Sequence, residues 1–128
     1  MKTSKDVEAL ERLIGQLKGL HVEISQLAKK SSNDALNRFK LNLVNKVLAA
    51  GNDILKDSYR PFTDFQEFDS DDLPTNSDVT MILAQYMEQA ERFRSDNVVL
   101  HTYNDWRYKI NGKASTVEAA PPTKIGEK

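Results

Sequence analysis

The chain contains no cysteine, which excludes a disulfide framework and a thiolate zinc site. It has no run of the roughly 18 apolar residues that a membrane-crossing helix needs. Its two histidines are His21 and His101, and neither stands at ligand spacing from a carboxylate pair or from the other, so no metal and no cofactor is expected. A phosphate-cradling glycine loop, a nucleophile elbow, a zinc-protease helix and the Glu-x-x-His pair of a di-iron bundle are all missing. The acidic DSDD at 69–72 lacks the glycine and the glutamate that a calcium loop requires further along. The first residues, MKTSKDVEALERL, are charged where a signal peptide would carry its apolar core, so export by that route is not expected and the cytoplasm is the expected location.

What the chain does have is helical patterning. Val7, Leu10, Ile14, Leu17, Ile24 and Leu27 recur at steps of three and four, with His21 in the one missing slot and Leu13 and Leu20 widening the stripe. Leu36, Phe39, Leu43, Val47, Ala50 and Ile54 repeat the pattern, thickened by Val44, Leu48 and Leu55. Such spacing specifies helices that bury a broad face against other helices. Leu17 and Leu43, at the middle of each stripe, are the expected core positions. Thr3 with Asp6, Ser31 with Asp34, and Thr75 with Asp78 each have capping-box spacing. Lys29 and Lys30 suit the negative end of a helix.

These signals predict helices at about 4–30, 33–57 and 78–94. At 98–110 two patterns compete. VVLHTY, ND and WRYKI read as a hairpin, with Asn111-Gly112 marking a further turn, whereas Val99, Tyr103, Trp106 and Ile110 stand at helical spacing. No strand is evident elsewhere for a sheet to join, so the reading is a shorter fourth helix. The expected fold is all-α: an elongated antiparallel helical bundle over 1–112, with a disordered, flexible tail over 113–128 of low hydrophobicity and double proline.

Charge is unevenly spread. The chain carries −1 overall, but residues 1–56 hold +4 and residues 57–78 hold −6. A near-neutral total gives no argument for nucleic acid or membrane as partner. The acidic connector, 58–77, also carries aromatics: Tyr59, with Phe62, Phe65 and Phe68 three apart. Exposed phenylalanines cost free energy, so these four either cap an end of the bundle or form a docking site for a partner. Gly15 and Gly19 lie off the apolar stripe of the first helix, where each costs about 1 kcal/mol relative to alanine.

The stretch R-S-D-N-V-V-L-H-T-Y, residues 94–103, resembles the Arg…His-x-Tyr motif of the HEPN family of small helical domains, which includes metal-independent ribonucleases. The resemblance implies that Arg94 binds the scissile phosphate, His101 moves a proton and Tyr103 orients the site, with RNA as partner. That division of labour suits a fixed guanidinium and a histidine near neutral pKa. The main expectation is different: a non-catalytic helical interaction or accessory module, without a catalytic site, that binds itself as a homo-oligomer or binds another helical protein.

Overall fold

A computed structural model describes residues 1–123. Three helices come first: α1 (Ser4–Ser31), α2 (Arg38–Tyr59) and α3 (Asn76–Asp96), followed by strands β1 (Val98–Thr102), β2 (Asp105–Ile110) and β3 (Lys113–Glu118). Thr3 and Thr75 close reciprocal capping boxes with Asp6 and Asp78. The second helix starts later than its spacing predicts, because Asn37 rather than Ser31 caps it, accepting from the Lys40 amide at 2.8 Å. Ser31 instead closes α1.

The loop between α1 and α2 fixes the direction of α3. Asn76 is buried and donates from its side chain to the Ser31 carbonyl at 2.9 Å, while its own amide donates to Asp34 at 2.9 Å. Leu36 and Ser77 add backbone bonds to Pro74 and Ser32, and Ala35 bridges Thr75. The first turn of α3 therefore sits beside the last turn of α1 and the start of α2. At the other end the Tyr59 hydroxyl donates to Asp96 at 2.5 Å. So α2 and α3 run parallel to each other, and both run antiparallel to α1.

A parallel pair needs a return path. Residues 60–75 supply it as a strap laid along one flank of α2. Asn45 acts as a two-point clip: its side chain accepts from the Phe68 amide and donates to the Phe68 carbonyl, both at 2.9 Å. Asn52 donates to the Gln66 carbonyl at 2.9 Å, and Arg60 to the Phe65 carbonyl at 3.0 Å. Phe65 and Phe68 meet edge to face at 5.1 Å and pack on the main core.

The chain is a mixed α/β fold and not the all-α bundle expected from periodicity. The segment read as a fourth helix, 98–110, is the antiparallel pair β1–β2, and 113–118, read as disordered tail, is β3 in a sheet of order β1-β2-β3. Two-residue alternation at Trp106, Tyr108 and Ile110 wins over helical spacing. Asn111 and Gly112 both take positive φ, 54° and 78°, the geometry of a tight hairpin turn. That turn delivers the third strand whose absence had favoured a helix. The inner face of the sheet, with Val98 and Tyr108, closes over Val7 and Leu10 near the start of α1, forming a second core. Residues 119–123 continue from β3, Ala119 donating to Trp106 at 3.0 Å. The remainder of the expected tail, 124–128, lies outside the described residues.

Leu17 is fully buried, but Leu43 is 38% exposed. The inward line of α2 is Leu41, Val44, Val47, Leu48, Gly51 and Leu55. Because the strap claims the flank bearing Asn45 and Asn52, α2 turns that line toward α1 and α3. Phe39 and Leu43 are left about one residue's rotation away, facing out. Leu17→Ala is therefore expected to cost about 2–5 kcal/mol, and Leu43→Ala less than about 0.5 kcal/mol. Urea unfolding of both variants at low protein concentration checks the pair. Equal costs would contradict the orientation of α2.

Candidate functional site

A cleft of about 720 Å³ lies along α1 and α3. Its third wall is the segment after β3. Ile14 and Gly15 of α1, Met87 and Ala90 of α3, and Pro121 give it a mainly apolar lining, with Glu11, Lys18 and Glu88 at charged positions around it. Gly15 presents bare backbone: a Cβ placed there would meet nothing within 4 Å.

The third wall is held by one polar cluster. Arg94, 8% exposed, forms a two-pronged ion pair with Glu91 at 2.7 and 2.6 Å. It also donates to the carbonyls of Ala120 at 2.9 Å and Pro121 at 2.8 Å. Glu91 accepts further bonds from Thr123 Oγ1 at 2.7 Å and Ser95 Oγ at 3.3 Å, and the Thr123 amide donates to Ser95 at 3.0 Å. Burial pushes the Glu91 carboxyl up, but the bonds from Arg94, Thr123 and Ser95 together with the Arg94 charge hold it below its ordinary value. Tyr108 reaches the cleft from β2, its hydroxyl 3.5 Å from Glu11. Burial and the Glu11 charge raise the Tyr108 pKa, so it stays a neutral phenol.

The residues singled out from the sequence do not gather here. Arg94 lines the cleft, yet four of its five N–H groups are spent on Glu91, Ala120 and Pro121. His101 and Tyr103 lie at the far end of β1 and in the turn after it, both exposed, Tyr103 at 92%. Neither lines the cleft. The carboxylate nearest that turn, Asp105, is held by Arg107 at 2.8 and 2.9 Å. An arrangement in which Arg94 and His101 share one phosphate is not formed.

The connector aromatics also separate. Tyr59 packs edge-on against Phe93 at 5.0 Å. Its hydroxyl is pushed up to about 12 by the hydrogen bond to Asp96, by burial and by the Asp96 charge. Phe65 and Phe68 join the core, and Phe62 alone stays 39% exposed. The strap therefore covers a flank of α2 rather than an end of the bundle.

Sequence reasoning passed over Glu91, Ser95, Tyr108 and Thr123. The signal within reach was the Glu91–Arg94 pair, one turn apart on α3. Among the described residues no cluster of His, Asp or Glu is placed to hold a metal ion, and no helix is long and apolar enough to cross a membrane. Comparison with protein-family models, with curated proteins and with solved structures finds no match.

Since Arg94 binds both Glu91 and the chain after β3, Arg94→Ala is expected to cost at least about 1.5–3 kcal/mol. It should also raise the Glu91 pKa, read by carboxyl NMR titration, because burial then acts with less opposition. A folded-state value below the ordinary 4.5 contributes stability that is present above that pH and is lost as the pH falls through the lowered value. Glu91→Gln should remove that acid-sensitive component. An unchanged stability-versus-pH curve in Glu91→Gln would contradict the pair.

Proposed function

We propose that the protein is a non-catalytic interaction module that takes an amphipathic helical segment of another protein in the cleft between α1 and α3. The observation that carries the reading is the combination of an apolar cleft with polar groups already committed to one another. A cleft of about 720 Å³ falls within the roughly 300–1,000 Å³ typical of binding pockets. It is large enough for anchor side chains from successive turns of a docked helix. The bare backbone at Gly15 lets such a helix approach α1 closely, which accounts for a glycine tolerated in mid-helix at a cost of about 1 kcal/mol.

Chemistry is the weaker reading of the same geometry. General acid–base work needs a titratable group free to move a proton within reach of a substrate. Here the Glu91 carboxylate is occupied by Arg94, Ser95 and Thr123, while Tyr108 is kept neutral. No serine or threonine of the cleft stands against a histidine, since His21 and His101 do not line it. The cleft offers shape and apolar area, which serve recognition. The charged side chains around it would select partners by the sign of their flanking residues.

Photo-crosslinking tests the proposal in cells that naturally make the protein. A benzoylphenylalanine at Gly15 fits without a clash, because a Cβ there meets nothing. It is expected to give an adduct with a protein of one defined mass, whereas the same group at the exposed Gln26 gives none. Filling the cleft by Met87→Trp, at a half-buried position on its α3 wall, should abolish the adduct while leaving the circular dichroism unchanged. No adduct at Gly15, or equal labelling from both positions, would overturn the reading.

A further inference from the structure

The outward side of α2 carries a second feature, unconnected with the cleft. Phe39, Leu43, Lys46, Ala50 and Asp53 recur at alternating steps of four and three, the spacing of one helical seam, which ends before the break in α2 at Lys56 (φ 54°). All five are exposed, Phe39 at 72% and Leu43 at 38%. The opposite side of α2 faces α1 and α3, and the strap lies against Asn45 and Asn52. Nothing within the described residues covers the seam. Isolated exposed apolar residues are ordinary, but a phenylalanine and a leucine one turn apart on a regular seam form a patch.

The seam is asymmetric along its length in two ways. Its bulky residues, Phe39 and Leu43, lie in the first half, and its small residue, Ala50, lies in the second. Its charges divide likewise: Arg38 stands in the first turn, Lys46 near the middle, and Asp53 toward the end. A surface of this kind is complementary to itself when turned end for end. We infer that a second copy of this chain docks on this seam, α2 against α2 in antiparallel sense about a two-fold axis. Phe39 then fills the space over Ala50 of the second copy. Leu43 lies along the aliphatic stem of its Lys46, whose ammonium reaches the rim. Asp53 moves toward the positive N-terminal end of the other α2, where Arg38 stands.

The parallel alternative fails on both counts. It sets Phe39 against Phe39 and leaves a void between the two Ala50 side chains, and it brings Asp53 against its own copy. A two-fold contact is also isologous and closes at two subunits without leading to filaments. One helix pair buries less than the roughly 1,200 Å² characteristic of stable complexes. The association is therefore reversible and depends on concentration. It is independent of the proposed cleft function, because no residue of the seam lines the cleft.

Two measurements on the purified full chain test it. Sedimentation velocity from micromolar to millimolar protein is expected to show a monomer passing into a dimer. Phe39→Ser with Leu43→Ser should remain monomeric throughout, with unchanged circular dichroism because both side chains face solvent. The absence of native cysteine makes the register testable by disulfide trapping. A chain carrying Phe39→Cys and Ala50→Cys should oxidise to a covalent dimer, and a control with Phe39→Cys and Asp57→Cys should not. The two cysteines cannot bridge within one helix, being about 16 Å apart along its axis. A wild-type chain that stays monomeric at millimolar concentration would overturn the inference. So would a dimer that survives the double serine variant or gives no 39–50 cross-link. In either case the cleft would remain available for its own test.

Discussion

Tyr86 is the point on which the helical half of the structure depends. It is fully buried in α3, and its ring lies against Gly51 of α2, where an added Cβ would stand 3.2 Å from the ring and 3.5 Å from Leu13 of α1. Its hydroxyl donates to Asn52 at 2.6 Å, and the other end of that amide holds the strap at Gln66. One side chain thus ties α3 to α2 within the core they share with Leu13 of α1 and, through Asn52, orders the return segment. Gly51 serves close approach and not backbone freedom: even a methyl group there would press on the ring, which would have to shift by a few tenths of an ångström to admit it. A buried phenol without its partner would cost about 1–3 kcal/mol, so the Tyr86–Asn52 bond both stabilises the parallel packing of α2 with α3 and fixes its register.

The parts of this arrangement that are local were legible in the sequence. The capping boxes at Thr3 and Thr75 set the starts of α1 and α3, and the stripe through Val7, Leu10 and Leu17 gave the buried face of α1. The parts that depend on distant residues were not. Asn37 is a good capping residue by type, but nothing local ranks it above Ser31 until the loop before it is tied to Pro74. The face of α2 was misread by about one residue's rotation, because two asparagines that look like surface positions, Asn45 and Asn52, are the strap's clips. For 98–118 a local signal did exist. Asn111-Gly112 is the sequence of a two-residue hairpin turn, and such a turn implies a strand on each side. The second strand, Lys113–Glu118, hides because an edge strand buries little: only Ser115 and Val117 are partly covered.

The cleft inherits this dependence. Two of its walls are helical faces, but the third exists only because β3 brings the chain back past α3, where Arg94 can bind the carbonyls of Ala120 and Pro121. Arg94 read alone is a surface cation or a phosphate ligand. In the structure it is a clamp, saturated by its own chain, and its availability for chemistry falls as its structural engagement rises. The same reasoning separates His101 and Tyr103 from it, since a strand carries residues away at about 3.3 Å per position where a helical turn would have kept them closer.

The strap, and with it the face that α2 turns outward, requires that α2 and α3 run in the same direction. Distances between paired spin labels measure this directly, and the cysteine-free chain allows labels at chosen positions only. One label at Asn42 of α2 would be paired in turn with one at Ser77 and one at Arg92, near the start and the end of α3. The parallel arrangement requires the 42–77 distance to be the shorter of the two, since Ser77 and Arg92 are separated by about 22 Å along the helix axis. An antiparallel bundle would reverse the order, with Asn42 nearer Arg92, and that result would contradict the fold and the site described on it.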